Sequence, residues 1–127
     1  MPKINKKVLK NGLRVLTISV KNAKSVTVLI LVGTGSKYET KKINGLSHFL
    51  EHMCFKGTAK RPTAGIISTE LDSIGSQSNA FTTQEFTGYY AKAHPDHLDH
   101  LLDVVSDLYL NPIFNIERDI QKFQGFL

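Results

Sequence analysis

A single cysteine, Cys54, excludes an internal disulfide and suits a reducing compartment. No apolar run approaches the length that spans a bilayer, which argues against a membrane helix. The basic start, Met1 to Lys10, leads into no apolar segment, so no secretory signal is expected. It also lacks the Arg- and Ser-rich character of a mitochondrial presequence. The expected location is therefore cytoplasmic, without a membrane partner. Acidic residues are missing before Glu39, while Lys3, Lys6, Lys7, Lys10 and Arg14 crowd the start. Such a stretch could touch nucleic acid, but no aromatic side chain is interleaved to stack on bases. The solvated face of a hairpin is the expected reading, and nucleic acid is not an expected partner. Internal repeats, low-complexity segments and linkers are also missing.

What is present is ordinary for one soluble domain over residues 1–127: 41 % apolar, 21 % charged, net charge +5. Val8 to Val20 reads as a β-hairpin about Asn11-Gly12, two residues that tolerate positive φ. Val26 to Val32 is a near-continuous apolar run of strand length, which suggests a central, well-buried strand. Gly33 to Asn44 reads as a polar loop. Leu46, Phe49, Leu50 and Met53 recur at helical spacing, with Asn44 as candidate N-cap and Gly57 as candidate C-cap. Pro62 and Thr63 can open a second helix carrying Ile66, Ile67, Leu71 and Ile74, stopped by Gly75. Gln77 to Thr83 and Phe86 to Ala93 look like two strands joined by a short turn. A third helix runs from near Pro95 to Asn111-Pro112, with Leu98, Leu101, Leu102, Val105, Leu108 and Tyr109 on its buried face. No pattern is readable after Phe114. This order predicts an α+β fold, a mostly antiparallel sheet with helices on one face.

The chemistry lies on the first helix. His48 and His52 are four residues apart, so both imidazoles share one face, one turn apart, within reach of one metal ion. Zinc accepts two histidine nitrogens well and then needs a third protein ligand, commonly a carboxylate. Glu51 points to the same region, offset from the pair. There it could take a proton from a zinc-bound water. The bland alternative is two surface histidines beside a solvated glutamate.

Other residues carry weaker signals. His94, His97 and His100 cluster with Asp96 and Asp99, a set that could bind metal but reads more simply as the polar start of a helix. Cys54 reads as a small buried hydrophobe. Glu85 reads as a turn carboxylate, with a supporting role at the zinc site as the alternative. Glu70 reads as solvated or paired with a lysine.

The flanks add a resemblance. Gly45 to Met53, followed by Phe55-Lys56-Gly57-Thr58, closely resembles the pitrilysin, insulysin and mitochondrial processing peptidase family, whose zinc motif is the inverted H-x-x-E-H. Glu70-Leu71-Asp72, Ile74-Gly75, Ser78-Asn79-Ala80-Phe81-Thr82 and Tyr89-Tyr90-Ala91 are similar to it too. The similarity runs from about Val8 to about Phe114. It implies an incomplete N-terminal domain of a pitrilysin-like metalloendopeptidase, with Zn2+ as cofactor. It implies His48 and His52 as zinc ligands, Glu51 as general base, and a strand around Asn79 and Ala80 that pairs with an extended peptide substrate. A second homologous half or subunit is the implied partner. The family's third ligand, a glutamate, is expected just beyond Leu127. Residues 118–127 depart from the family pattern, which suggests a fragment or a changed reading frame. Glu117 is expected at a helix start rather than as a substitute ligand. The alternative function is a catalytically inactive peptide-binding fragment or subunit.

Overall fold

A computed structural model describes residues 1–126. Its strands and helices form an α+β arrangement in which every strand pairing is antiparallel. None of the described helices is long and apolar enough to cross a membrane.

Strands β1 (Lys3–Val8) and β2 (Arg14–Ser19) make a separate two-stranded hairpin. Gly12 takes the left-handed region at φ 87°, and Asn11 Oδ1 accepts the Leu13 N–H at 3.1 Å. The first strand starts at Lys3 rather than Val8. Both strands are exposed along their whole length, so burial imposes no alternation that could mark the start of β1 in the sequence.

A three-stranded sheet in the order β3–β5–β4 joins β3 (Val26–Val32), β4 (Gln77–Thr82) and β5 (Thr87–Ala93). The Val26–Val32 run reads as a central strand, but β5 holds that place and β3 lies at an edge. Val28 is buried opposite Ala91, while Leu29 and Leu31 stay 49 % and 55 % exposed. An apolar run shows that both faces suit burial, not that both are covered.

Helices α1 (Leu46–Cys54), α2 (Ala64–Ser73) and α3 (Leu98–Leu110) cover the opposite face. Val28, Tyr89, Ala91 and Ala93 of the sheet pack there with Cys54, Ile67, Leu71, Leu101, Val104, Val105 and Leu108. The stripe expected on α3 is shifted: Val104 is fully buried, whereas Leu98, Leu102 and Tyr109 are partly exposed. Leu50 and Ile66 likewise lie outside the core. Thr63 caps α2 by accepting the Ile66 N–H at 3.2 Å, and Gly75 ends it at φ 62°.

Two expectations about ends need correction. Gly57 is not the C-cap of α1, because the helix closes at Phe55. Gly57 sits in the following turn at φ 151°, where a Cβ would lie 2.5 Å from the Pro62 carbonyl oxygen. The tail, unreadable in sequence, forms α4 (Ile116–Phe126). Asn115 Oδ1 accepts the Arg118 N–H at 2.9 Å, and Asp119 Oδ2 accepts the Asn115 N–H at 2.7 Å, a reciprocal cap. Glu117 lies in its first turn, as expected. Phe123 sets its ring 5.2 Å from that of Phe49 on α1.

A charged node ties the α1–α2 connection to α3. The Arg61 side chain, 4 % exposed, donates to Glu70 through Nε and Nη2 at 2.7 and 2.8 Å. It also donates to Asp103 at 2.7 Å and to Asp107 at 2.8 Å. Glu70 is thus neither solvated nor lysine-paired: its partners are Arg61 and His100, the latter at 2.7 Å. Hydrogen bonds from Arg61 outweigh burial and hold the Glu70 carboxyl down at about 2. Lys60 and then Arg61 hold Asp103 at about 2.

Candidate metal centre

The helix that carries His48 and His52 is set by the loop before it. Gly45 precedes α1 at φ 85°, in the left-handed region, and no side chain at this position caps the helix. Asn44 is therefore not the cap. Glu39, between two short 3-10 turns (Ser36–Tyr38 and Lys41–Ile43), does this work from a distance. Its Oε2 accepts the Gly45 N–H and its Oε1 the Ser47 N–H, both at 2.7 Å. Burial opposes the charge on Glu39, but these N–H bonds outweigh it and its carboxyl lies below the usual range. A carboxylate at a helix N-terminus also meets the positive end of the dipole. The loop is pinned in turn to the β4–β5 turn, with the Ser36 N–H on the Thr83 carbonyl at 3.1 Å and the Lys37 N–H on that of Gln84 at 3.0 Å. Gly35 allows this approach, since a Cβ there would fall 2.3 Å from the Thr83 oxygen.

On α1 the two imidazoles meet as the spacing requires. His48 Nε2 and His52 Nε2 are 3.0 Å apart, with ring centroids 4.7 Å apart and planes tilted by 42°. Both rings are exposed, and Glu51 is half-buried beside them. One donor atom from each of the three residues falls within 4.8 Å of the others. Two ligands on tetrahedral zinc, at bonds of about 2.0–2.1 Å, stand roughly 3.3 Å apart. The nitrogens need only part by a few tenths of an ångström, so the donor set fits zinc. It is the one such group of His, Cys, Asp and Glu among the described residues.

Glu51 reaches the sheet. Thr82 Oγ1, at the end of β4, donates to Glu51 Oε2 at 2.7 Å. No sequence signal marked Thr82 as a partner of Glu51, because the contact links a helix to a strand 31 positions away. On the same strand, Asn79 is exposed and Ala80 half-buried. Asn79 Oδ1 accepts the Ala80 N–H at 2.8 Å. The edge of β4 away from β5 has no strand partner among the described residues.

The weaker candidates resolve simply. His94 pairs loosely with Asp96 at 3.3 Å, at the 3-10 turn Pro95–His97, and His100 turns to Glu70. Glu85 pairs with Lys37 at 2.7 Å on the surface and is not among the grouped donors His48, Glu51 and His52. Cys54 is buried against the Tyr89 hydroxyl, Sγ to Oη 3.7 Å, and burial pushes its thiol up, away from nucleophile chemistry.

The model of the insulinase family (peptidase family M16) matches residues 14–123. The chain belongs to this family. Among curated relatives, an uncharacterized zinc protease, YmxG, of Bacillus subtilis (strain 168) is 44 % identical over 112 residues, covering 88 % of this chain and 27 % of its own length. The beta subunit of the mitochondrial-processing peptidase of Dictyostelium discoideum is 46 % identical over 106 residues, covering 84 % and 22 %. A crystal structure of a protease from Helicobacter pylori superposes with a TM-score of 0.88 at 28 % identity, over 98 % of this chain and 30 % of that one. The chain thus spans about a quarter of the length of these curated relatives.

Proposed function

We propose that this chain carries part of the active site of a zinc metalloendopeptidase, with His48 and His52 as ligands and Glu51 as general base. The observation that carries the reading is the pair of Nε2 atoms at 3.0 Å with the Glu51 carboxylate in the same group. Zinc bound there would acidify the attacking water and polarise the scissile carbonyl. Glu51 would take the proton of that water and pass it to the leaving amine. Its Oε2 is held by Thr82, which leaves Oε1 to receive the proton.

The open edge of β4 suits an extended peptide, which would add as a further strand. The Ala80 N–H, now donated to Asn79 Oδ1, would donate to a peptide carbonyl instead. Asn79 and Ala80 are the proposed contacts. The third zinc ligand is proposed to be a carboxylate outside residues 1–127, since Glu117 does not join the histidine group. The name of the Bacillus relative, a zinc protease, supports the metal. The name of the Dictyostelium relative, a beta subunit, supports a second half or subunit as partner. The proposed location is the cytoplasm, which suits the lone reduced thiol.

The test compares the full natural chain with Glu51→Gln. Zinc content should stay equal while peptide hydrolysis falls by about 10²–10⁴-fold, the range for losing a general base. Equal hydrolysis by both proteins refutes the assignment.

A further inference from the structure

We propose that Thr82 is a positioning residue for Glu51, coupling the edge strand β4 to the carboxylate that moves the proton. This rests on the reading of Glu51 as general base. Thr82 is the last residue of β4, in register with Thr87 on β5, so its backbone is fixed by the sheet. Its hydroxyl donates to Glu51 Oε2 at 2.7 Å in a half-buried setting. Glu51 is otherwise a side chain with three rotatable torsions on a helix surface beside exposed histidines. One short bond to a rigid strand therefore selects which way the carboxylate faces.

A hydroxyl is suited to both protonation states of its partner. It donates one hydrogen bond and accepts up to two. It can donate to the carboxylate before proton transfer. After transfer, with the proton on Oε1, Oε2 remains an acceptor, so the Thr82 hydrogen bond persists with no heavy atom moved. The same strand offers the open edge at Asn79 and Ala80, three and two residues before Thr82. A peptide added along β4 would thus be in register with the base through one element. Serine could serve similarly, whereas valine keeps the shape of threonine and deletes only the hydroxyl function.

The experiment compares Thr82→Val, Thr82→Ser and Glu51→Gln in the full natural chain, with zinc stoichiometry, kcat and KM measured for each. Thr82→Val should lower kcat by about 10- to 100-fold, the scale of a misplaced reacting group, with KM and zinc content unchanged. Thr82→Ser should recover most of the loss. Thr82→Val in the Glu51→Gln background should cause no further fall. A second readout is independent of activity: in metal-free protein the thermal shifts of Thr82→Val and Glu51→Ala should be non-additive. An unchanged kcat in Thr82→Val overturns the proposal. So does equal loss in the valine and serine variants, a rise in KM alone, or additive thermal shifts. If Glu51→Gln retains kcat, the general-base reading itself falls, and non-additive thermal shifts would still show the hydrogen bond to be real.

Discussion

Replacing Arg61 by methionine should be among the most damaging single changes in this chain, and its cost should depend on pH. Methionine fills similar space without branching, so the change removes mainly the charge. The guanidinium now serves three carboxylates while only 4 % exposed. Asp107, 7 % exposed, would keep only Thr58 Oγ1 at 2.6 Å and Asn111 Nδ2 at 3.0 Å as donors. Glu70 would keep His100, and Asp103, half exposed, would keep Lys60 and water. Breaking a buried pair costs about 3–5 kcal/mol when the remaining charge is stranded. The donors left to Asp107 and the exposure of Asp103 place Arg61→Met near the lower end, about 3 kcal/mol. That is a large part of the roughly 5–15 kcal/mol that holds a domain together. Urea unfolding at neutral pH would read it as a shift in midpoint at constant slope.

The pH dependence gives the sharper refutation. Glu70 and Asp103 are held at about 2, below their ordinary 4.5 and 3.8. The unfolded chain therefore binds more protons than the folded one between those values. The stability from this node is complete above the ordinary carboxylate range and is lost as pH falls towards about 2. The penalty of Arg61→Met should be largest at neutral pH and shrink on acidification, since protonated carboxyls no longer need the guanidinium. An equal penalty at neutral pH and near the acid limit would show that the side-chain stem, not its charge, is what the fold uses.

Two further perturbations follow from the site's support. Glu39→Ala removes the acceptor of two N–H groups and should cost about 1–2 kcal/mol, the scale of a lost N-cap. It should also weaken zinc affinity by about tenfold or more, as loss of a supporting partner does elsewhere; calorimetric zinc titration checks this, and unchanged affinity would mean that α1 holds His48 without the cap. Gly57→Ala meets both a positive φ and the Pro62 carbonyl at 2.5 Å, so it should destabilise by roughly 3 kcal/mol. Its thermal unfolding should fall well below that of Gly12→Ala, which has strain but open space.

The pairing of His48 and His52 on one face was legible in the sequence because helical spacing alone fixes it: residues four apart on a helix cannot avoid sharing a face. The α+β order and the β4–β5 pair were legible for a similar reason, since local periodicity and turn residues set them. The partners of the site were not. Glu39 caps α1 from across a loop, Thr82 reaches Glu51 from the sheet, and Arg61 gathers acids from two helices. Each is a contact between residues distant in sequence, and no periodicity encodes it. The strand at Val26–Val32 misled in another way, because its composition suits burial on two faces while only one is covered here. The tail hid a helix because its caps, Asn115 and Asp119, are polar residues whose role shows only in their reciprocal hydrogen bonds.

In the proposed centre, His48 and His52 hold zinc beside Glu51. Anomalous diffraction at the zinc edge, from crystals of the zinc-loaded full natural chain, tests it directly. One strong peak is expected about 2.0–2.1 Å from the Nε2 atoms of both histidines, with Glu51 beside it. A peak only at His94, His97 or His100, with His48 and His52 unliganded, would contradict it.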